Sequence, residues 1–457
     1  MHGYSPAAAA VLRKAKADIG DRVRIIRGTT VYEGIVLPRP EAGSADEIVL
    51  KLDSGYNIGI KPKGIRMERV KHEQRAMADA IGIEKWRAGL KRSLSFDPNK
   101  PTITILHTGG TIASRVDYRT GAVVSSFTPA DIVGMFPELT AIANIRSRLI
   151  RNMWSDDMRF GHYAMIAQEV AKEIKAGADG IIITHGTDTL HYTSAALSFI
   201  LQNLPVPVII VGAQRSSDRP SSDAGMNLIC AANFIVRSDF AGVAVCMHAD
   251  ISDDYCWILP PNRIRKMHTS RRDAFRPIGT RPIAAIDYRN NKMHFSGLPY
   301  AKKDKLRRLK VMPKMAERVG MLYIHTNMTP EQFEFYNKAK YKGLVIVGTG
   351  LGQTPLHVVD NLTKVHTKIR AAIQKLTKNC VVVMSPETIY GRINMNVYNK
   401  GRDLLALGVI PGEDMTPETA FVKLAWLLGN YPRVRVEGLI RKNIAGEINE
   451  RTTEWLV

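Results

Sequence analysis

The chain has 457 residues, 45% of them hydrophobic and 23% charged, the balance of a globular protein with room for two or three domains. No stretch approaches the roughly 20 consecutive apolar residues of a membrane-spanning helix. The four cysteines share no CxxC spacing and no HExxH occurs, so no metal is expected, and the net charge of +21 suits a polyanion such as RNA or a general adaptation of surface charge.

At the N-terminus an alanine run, Ala7 to Ala10, precedes Arg13, Lys14 and Lys16. A signal peptide carries its positive charge before the apolar run, so the chain is read as cytoplasmic. Cys230, Cys246 and Cys380 lie in apolar segments and read as buried, reduced thiols. Residues 20 to 70 alternate short β-type runs (22–26, 31–36, 48–52 and 56–60) with Gly and Asp-Ser-Gly turns. This predicts a small SH3-like β-barrel domain over residues 1–72. Tyr32 and Tyr56, near basic residues, fit either base stacking or a barrel core. Residues 73–97, rich in Lys, Arg and Ala, read as a helical linker.

From Thr102 the rhythm changes to near-continuous apolar runs at 103–106, 180–184, 206–211 and 243–247, most followed by helical periodicity. Runs without alternation are what strands buried on both faces look like, which predicts an α/β fold with a parallel sheet over 98–305. A second set (320–325, 344–347, 380–384) predicts a smaller C-terminal α/β domain over 319–457. The basic stretch Lys302 to Arg318 between them reads as a solvated interdomain connection.

In such folds ligands bind beyond the carboxyl ends of the strands. Two strands end in hydroxyl-rich loops, Thr108-Gly109-Gly110-Thr111 and Thr184-His185-Gly186-Thr187-Asp188-Thr189. Paired glycines bring backbone amides close to a ligand, and a following threonine fits a nucleophile with oxyanion donors beside it. The same turn also fits a phosphate cradle. A hydroxyl nucleophile needs a base. Asp188 offers a carboxylate, and Lys266 an amine whose proton the neighbouring cations would loosen, unless it sits in a solvated basic loop. A nucleotide-binding alternative rests on Gly348-Thr349-Gly350-Leu351-Gly352, but Gln353 stands where the dinucleotide fingerprint needs glycine.

The two loops, in this order and on these strands, resemble the signature motifs of the bacterial-type asparaginase family, a likeness that runs from about residue 100 to the C-terminus. It implies Thr111 as nucleophile, working with Thr187, Asp188 and Lys266. It implies Ser155 and Asp156, in Ser155-Asp156-Asp157-Met158, as holders of the substrate's α-carboxylate and α-ammonium, with Gly110 among the substrate contacts. Tyr118, in the segment 114–121, is similar to the family's lid tyrosine. The added N-terminal barrel and the lid sequence 116–123 resemble one branch, the D subunits of archaeal glutamyl-tRNA(Gln) amidotransferases. That branch implies glutamine hydrolysis, with ammonia passing to an E subunit that uses ATP and Mg2+ to amidate glutamate on tRNA(Gln). It also implies a homodimer within a heterotetramer, and no cofactor in this chain, where no GxxxxGK[ST] occurs. A free-standing asparaginase is the alternative, since the two substrates differ by one methylene.

Overall fold

The computed structural model describes residues 4–37, 46–52, 57–70, 96–110, 112, 114–116, 123–125, 136, 138–215 and 221–452. The alanine-rich start is a helix, Pro6–Lys14, begun by proline at its first position and capped by Ser5, whose hydroxyl accepts from Ala8 N. It covers a five-stranded antiparallel sheet ordered 57–60, 48–52, 30–36, 22–27, 66–69. Alternation along Arg22–Arg27 turns Val23 and Ile25 into a core with Leu12, Val36, Ile48 and Leu50. The Tyr4 hydroxyl donates to Leu37 O at 2.6 Å and accepts from Val49 N at 3.1 Å, pinning the helix's entry to the sheet. Tyr32 packs against this core; Tyr56 and residues 71–95, most of the expected linker, lie outside the described residues.

The large sheet runs 144–153, 102–109, 180–184, 207–211, 240–248 as parallel neighbours, then turns antiparallel through 255–259, 284–287 and 292–295. Its first strand in sequence, Thr102–Gly109, lies between the second and the third. The chain therefore moves outward on one side of it and returns on the other, which makes the carboxyl ends of 102–109 and 180–184 a topological switch point. The apolar runs feed two cores. Ile181, Ile183, Val208 and Ile210 face helices Phe160–Lys175 and Leu190–Ile200, while Ile103, Ile105, Ile182 and Ile209 face helix Ala224–Arg237.

A second parallel sheet (319–323, 343–348, 381–386, 410–411) follows, and the first core continues into it. Helix Pro417–Asn430 packs between, with Trp426 stacked on Phe199 at 5.6 Å between ring centroids. The basic stretch at 302–318 connects the two sheets with most of its charges solvated, as expected, but it is also paired and packed. Ala301–Lys302 pairs with strand 240–248, Lys310–Val311 pairs with Leu201–Gln202, and Met312 and Met315 pack on the shared core. Most of its charged side chains are exposed, but Lys303 donates to Ile235 O at 2.5 Å and Arg307 to Leu204 O at 3.0 Å, so they help its backbone and methionines tie it down.

Among the described residues one ion pair sits wholly inside. Lys423 Nζ lies 2.5 Å from Glu447 Oε1, both side chains at 0% exposure, and also donates to Ile440 O at 2.8 Å and Lys442 O at 2.6 Å. Burial pulls the Lys423 ammonium below its ordinary range, and Glu447 opposes that shift. Lys423→Ala leaves the Glu447 carboxylate without its cation and should cost about 3–5 kcal/mol in chemical denaturation. The double change Lys423→Met with Glu447→Leu should recover only part of that loss, because the buried charges leave together but Ile440 O, Lys442 O, Ile444 N and Ala445 N lose their side-chain partners.

Candidate active site

The site is assembled at the switch point, where three parallel strands end together. His107 joins them, its Nδ1 2.8 Å from Thr184 Oγ1 and its Nε2 2.7 Å from Ser147 Oγ. Burial lowers its pKa to about 4, so the ring is neutral, and each hydroxyl takes whichever donor or acceptor role the ring leaves. Thr108 Oγ1 donates to Thr184 O at 2.9 Å, fastening the first motif to the second strand.

The two glycines are required by close approach. Gly109 (φ +102°) lies against Met153, where a Cβ would stand 2.5 Å from its carbonyl oxygen. Gly110 (φ +81°) lies against the second motif, where a Cβ would stand 2.4 Å from Gly186 N. A Cβ on Gly186 would in turn meet Ser155 Cβ at 2.8 Å. Backbone thus packs on backbone, and the segments ending at Gly110, Ser155 and Thr187 converge. The Thr189 hydroxyl closes the junction by donating to Ser155 O at 2.5 Å. Ser155 is buried in a short turn, Ser155–Asp157, and Asp156 beside it is exposed.

Thr187 is buried, and Asp188 projects with its side chain 71% exposed. Lys266, at the end of strand Ile264–Lys266, meets both: Nζ donates to Thr187 Oγ1 at 2.9 Å and to Asp188 Oδ1 at 2.7 Å. Its side chain is only 10% exposed, so the solvated-loop alternative does not hold. The cations expected to crowd it are engaged elsewhere. Arg265 pairs with the buried Glu418 at 3.0 Å, and Arg263 pairs with Asp414 at 2.9 Å and donates to Glu447 O at 2.9 Å. The C-terminal domain therefore holds the strand that presents Lys266.

Two further histidines back the second loop. His185 Nδ1 donates to Gly186 O at 2.7 Å, its Nε2 lies 2.8 Å from Thr193 Oγ1, and burial lowers its pKa to about 4. His191 is lowered to about 3, first by burial and then by the charges of Arg265 and Lys266. Sequence reasoning missed these rings, and it missed Gln214, whose Oε1 accepts from Thr187 Oγ1 at 3.4 Å. The signal for Gln214 was the run 206–211, whose carboxyl end opens toward the same crevice.

Thr111 and Tyr118 lie outside the described residues. Among the described residues no group of three or more His, Cys, Asp or Glu side chains is arranged to hold a metal, and no helix is long and apolar enough to cross a membrane. A cavity of about 830 Å³ opens beside Gly242, Asn262 and Ala445, and none of Ser155, Thr187, Asp188 or Lys266 lines it.

Comparison with known proteins matches three family models: the GatD N-terminal domain over residues 17–70, asparaginase, N-terminal, over 102–299, and the glutaminase/asparaginase C-terminal domain over 318–435. The chain is 45% identical over 446 residues to the glutamyl-tRNA(Gln) amidotransferase D subunit of Pyrococcus furiosus, covering 96% of this chain and 97% of that one. It is 43% identical over 452 residues to the D subunit of the same enzyme from Methanobrevibacter smithii, covering 98% of each. Among solved structures it is similar to the thermostable L-asparaginase from Thermococcus kodakarensis, with a TM-score of 0.66 and 29% identity, over 77% of this chain and 100% of that one.

Proposed function

The chain belongs to the family of glutamyl-tRNA(Gln) amidotransferase D subunits, which are amidotransferase subunits of asparaginase-like fold, and from that premise we infer that it hydrolyses glutamine through Thr111. The observation that carries this reading is the pair of hydrogen bonds from Lys266 Nζ to Thr187 Oγ1 and Asp188 Oδ1. They lie beside the Gly110–Gly186 contact, one peptide unit before position 111. Thr111 attacks the side-chain amide carbon, the tetrahedral oxyanion is met by backbone amides of the glycine turn, and ammonia leaves. Water then resolves the acyl-enzyme, with Lys266, Asp188 and Thr187 moving protons. Ser155 and Asp156 hold the amino-acid end of the substrate, and Tyr118 serves as the tyrosine that activates the nucleophile.

In this reading ammonia passes to an E subunit, which uses ATP and Mg2+ to activate glutamate already carried by tRNA(Gln). This chain holds no cofactor of its own and works as a homodimer within the larger complex, in the cytoplasm.

Asp188→Asn keeps the shape of the side chain but removes its charge from Lys266. It should lower kcat about 100-fold or more and change KM less than about threefold. The reading as a whole is tested by ammonia release from glutamine and from asparagine, with and without the partner and glutamyl-tRNA(Gln). Glutamine hydrolysis coupled to formation of Gln-tRNA(Gln) is expected. Fast asparagine turnover without the partner, indifferent to tRNA, would replace it with a free-standing asparaginase.

A further inference from the structure

Residues 212–215, which follow strand Pro207–Val211, leave the sheet at the same end as the two motif loops, and several contacts hold them. Gly212 lies so near Thr187 that a Cβ on it would stand 2.8 Å from Thr187 Cγ2. Asp223, fully buried, accepts from Gln214 N (3.0 and 2.9 Å to its two oxygens) and from Arg215 N at 3.0 Å. Asn227 Nδ2 donates to Gly212 O at 3.0 Å and to Asp223 Oδ2 at 3.3 Å. A buried carboxylate and amide at the start of helix Ala224–Arg237 thus fix the backbone from which Gln214 reaches Thr187. At 3.4 Å the Thr187–Gln214 contact is long, as hydrogen bonds in unliganded sites commonly are. The Gln214 Nε2 is buried with no partner among the described residues.

We propose that Gln214 is a positioning residue that terminates the Lys266–Thr187 hydrogen-bond chain and allows the direction of that chain to reverse. The inference rests on the reading of Lys266, Thr187 and Asp188 given above. A threonine hydroxyl has one proton to give and two lone pairs to offer. While Lys266 is an ammonium, Nζ–H donates to Thr187 Oγ1, so the hydroxyl proton must go elsewhere, and Gln214 Oε1 receives it. After Lys266 hands a proton to the departing nitrogen, its lone pair takes the Thr187 hydroxyl proton instead, as a hydrogen bond. A half turn of the carboxamide then presents Nε2–H to Oγ1. Only the hydroxyl and the carboxamide reorient; no proton moves between heavy atoms in this switch. An apolar residue at 214 serves neither state, and a carboxylate serves only the first.

Among the described residues, the charged and titratable groups around Lys266 are few. Asp188 is in contact, Arg265 is drawn to Glu418, and His191 is kept neutral by burial. A new charge at 214 should therefore register in the pH dependence. The experiment uses the full chain with its partner subunit and measures ammonia release from glutamine from about pH 6 to about pH 9, with thermal melting of each variant. Gln214→Met should lower kcat about tenfold with KM changed less than about threefold. Gln214→Glu should move the alkaline limb of the kcat profile up by about one pH unit, because a carboxylate facing Thr187 favours the ammonium form of Lys266 from which the proton is given. Wild-type kcat and an unshifted profile in both variants would overturn this role of Gln214, as would a loss of kcat that tracks lowered melting with no shift in the profile. Thr111→Ala measured alongside separates the two levels. If it stays active, the amidase reading itself fails; if it is dead while the Gln214 variants behave as wild type, only the role of Gln214 falls.

Discussion

Alanine in place of Thr111 is expected to abolish ammonia release from glutamine, by at least about 1,000-fold in kcat, while the chain still folds and binds its partner subunit. The size of the loss follows from what the neighbouring hydroxyls already do. Thr108 Oγ1 is spent on Thr184 O, and Thr184 Oγ1 is held by His107. Thr189 Oγ1 is spent on Ser155 O, and Thr187 Oγ1 sits between Lys266 and Gln214. None of these can turn toward a substrate carbonyl without breaking a contact that holds the two loops together, so none of them stands in reserve as a second nucleophile. The fold should survive, because Gly109 and Gly110 seat the turn by close approach to backbone atoms of Met153, His185 and Gly186. Melting temperature, co-purification of the partner and ammonia release, measured on one preparation, check all three parts. Retention of most of the activity would move the nucleophile elsewhere.

The parallel strands were legible because burial on both faces leaves a continuous apolar run: Ile182 goes to one core, Ile181 and Ile183 to the other. The edge strand Asn144–Met153 was not legible, since Arg146, Arg148 and Leu149 face solvent and break any run. The same holds for Lys292–Phe295, whose side chains are mostly exposed. Lys302 to Arg318 was half legible, because its solvated charge is visible in sequence, whereas its pairing with strands about 60 and 110 residues earlier is a property of the tertiary fold. At the site, the two motif loops announce themselves through glycine and hydroxyl spacing. Lys266 could be nominated from its cationic neighbours but not separated from a solvated basic loop without the family likeness, because its contacts come from residues 78 and 79 positions away. Gln214 carries no motif. Its importance arises only when Asp223 and Asn227 clamp the loop that presents it.

Acidification is expected to destabilise the chain steeply from about pH 6.5 downward, and the histidines behind the motif loops carry much of the effect. His107 and His185 are lowered to about 4 and His191 to about 3, with burial the leading cause each time. Because the folded values lie below the ordinary 6.5, the unfolded chain binds protons in this window that the folded chain refuses. The stabilisation is therefore complete above about pH 6.5 and is lost as pH falls toward the folded values, at roughly 1.4 kcal/mol per pH unit for each group. Against a total stability on the order of 5–15 kcal/mol, three such groups suffice to unfold the chain within a few units. His191 allows the assignment to be tested one ring at a time. Its Nδ1 is buried without a partner among the described residues, and the ring packs on Tyr192 at 4.7 Å and edge-on to Phe275 at 6.5 Å. His191→Phe keeps that packing and removes the titration, so denaturant melts between about pH 7 and about pH 5 should lose stability more slowly, by about one proton's worth of slope. An unchanged slope would place the acid sensitivity in other groups. His191 also stands within the field of Lys266, so its protonation puts a second cation against the ammonium that Asp188 and Thr187 hold. Loss of fold and loss of the lysine's geometry should then begin over the same acid range, and the phenylalanine variant should hold both to lower pH.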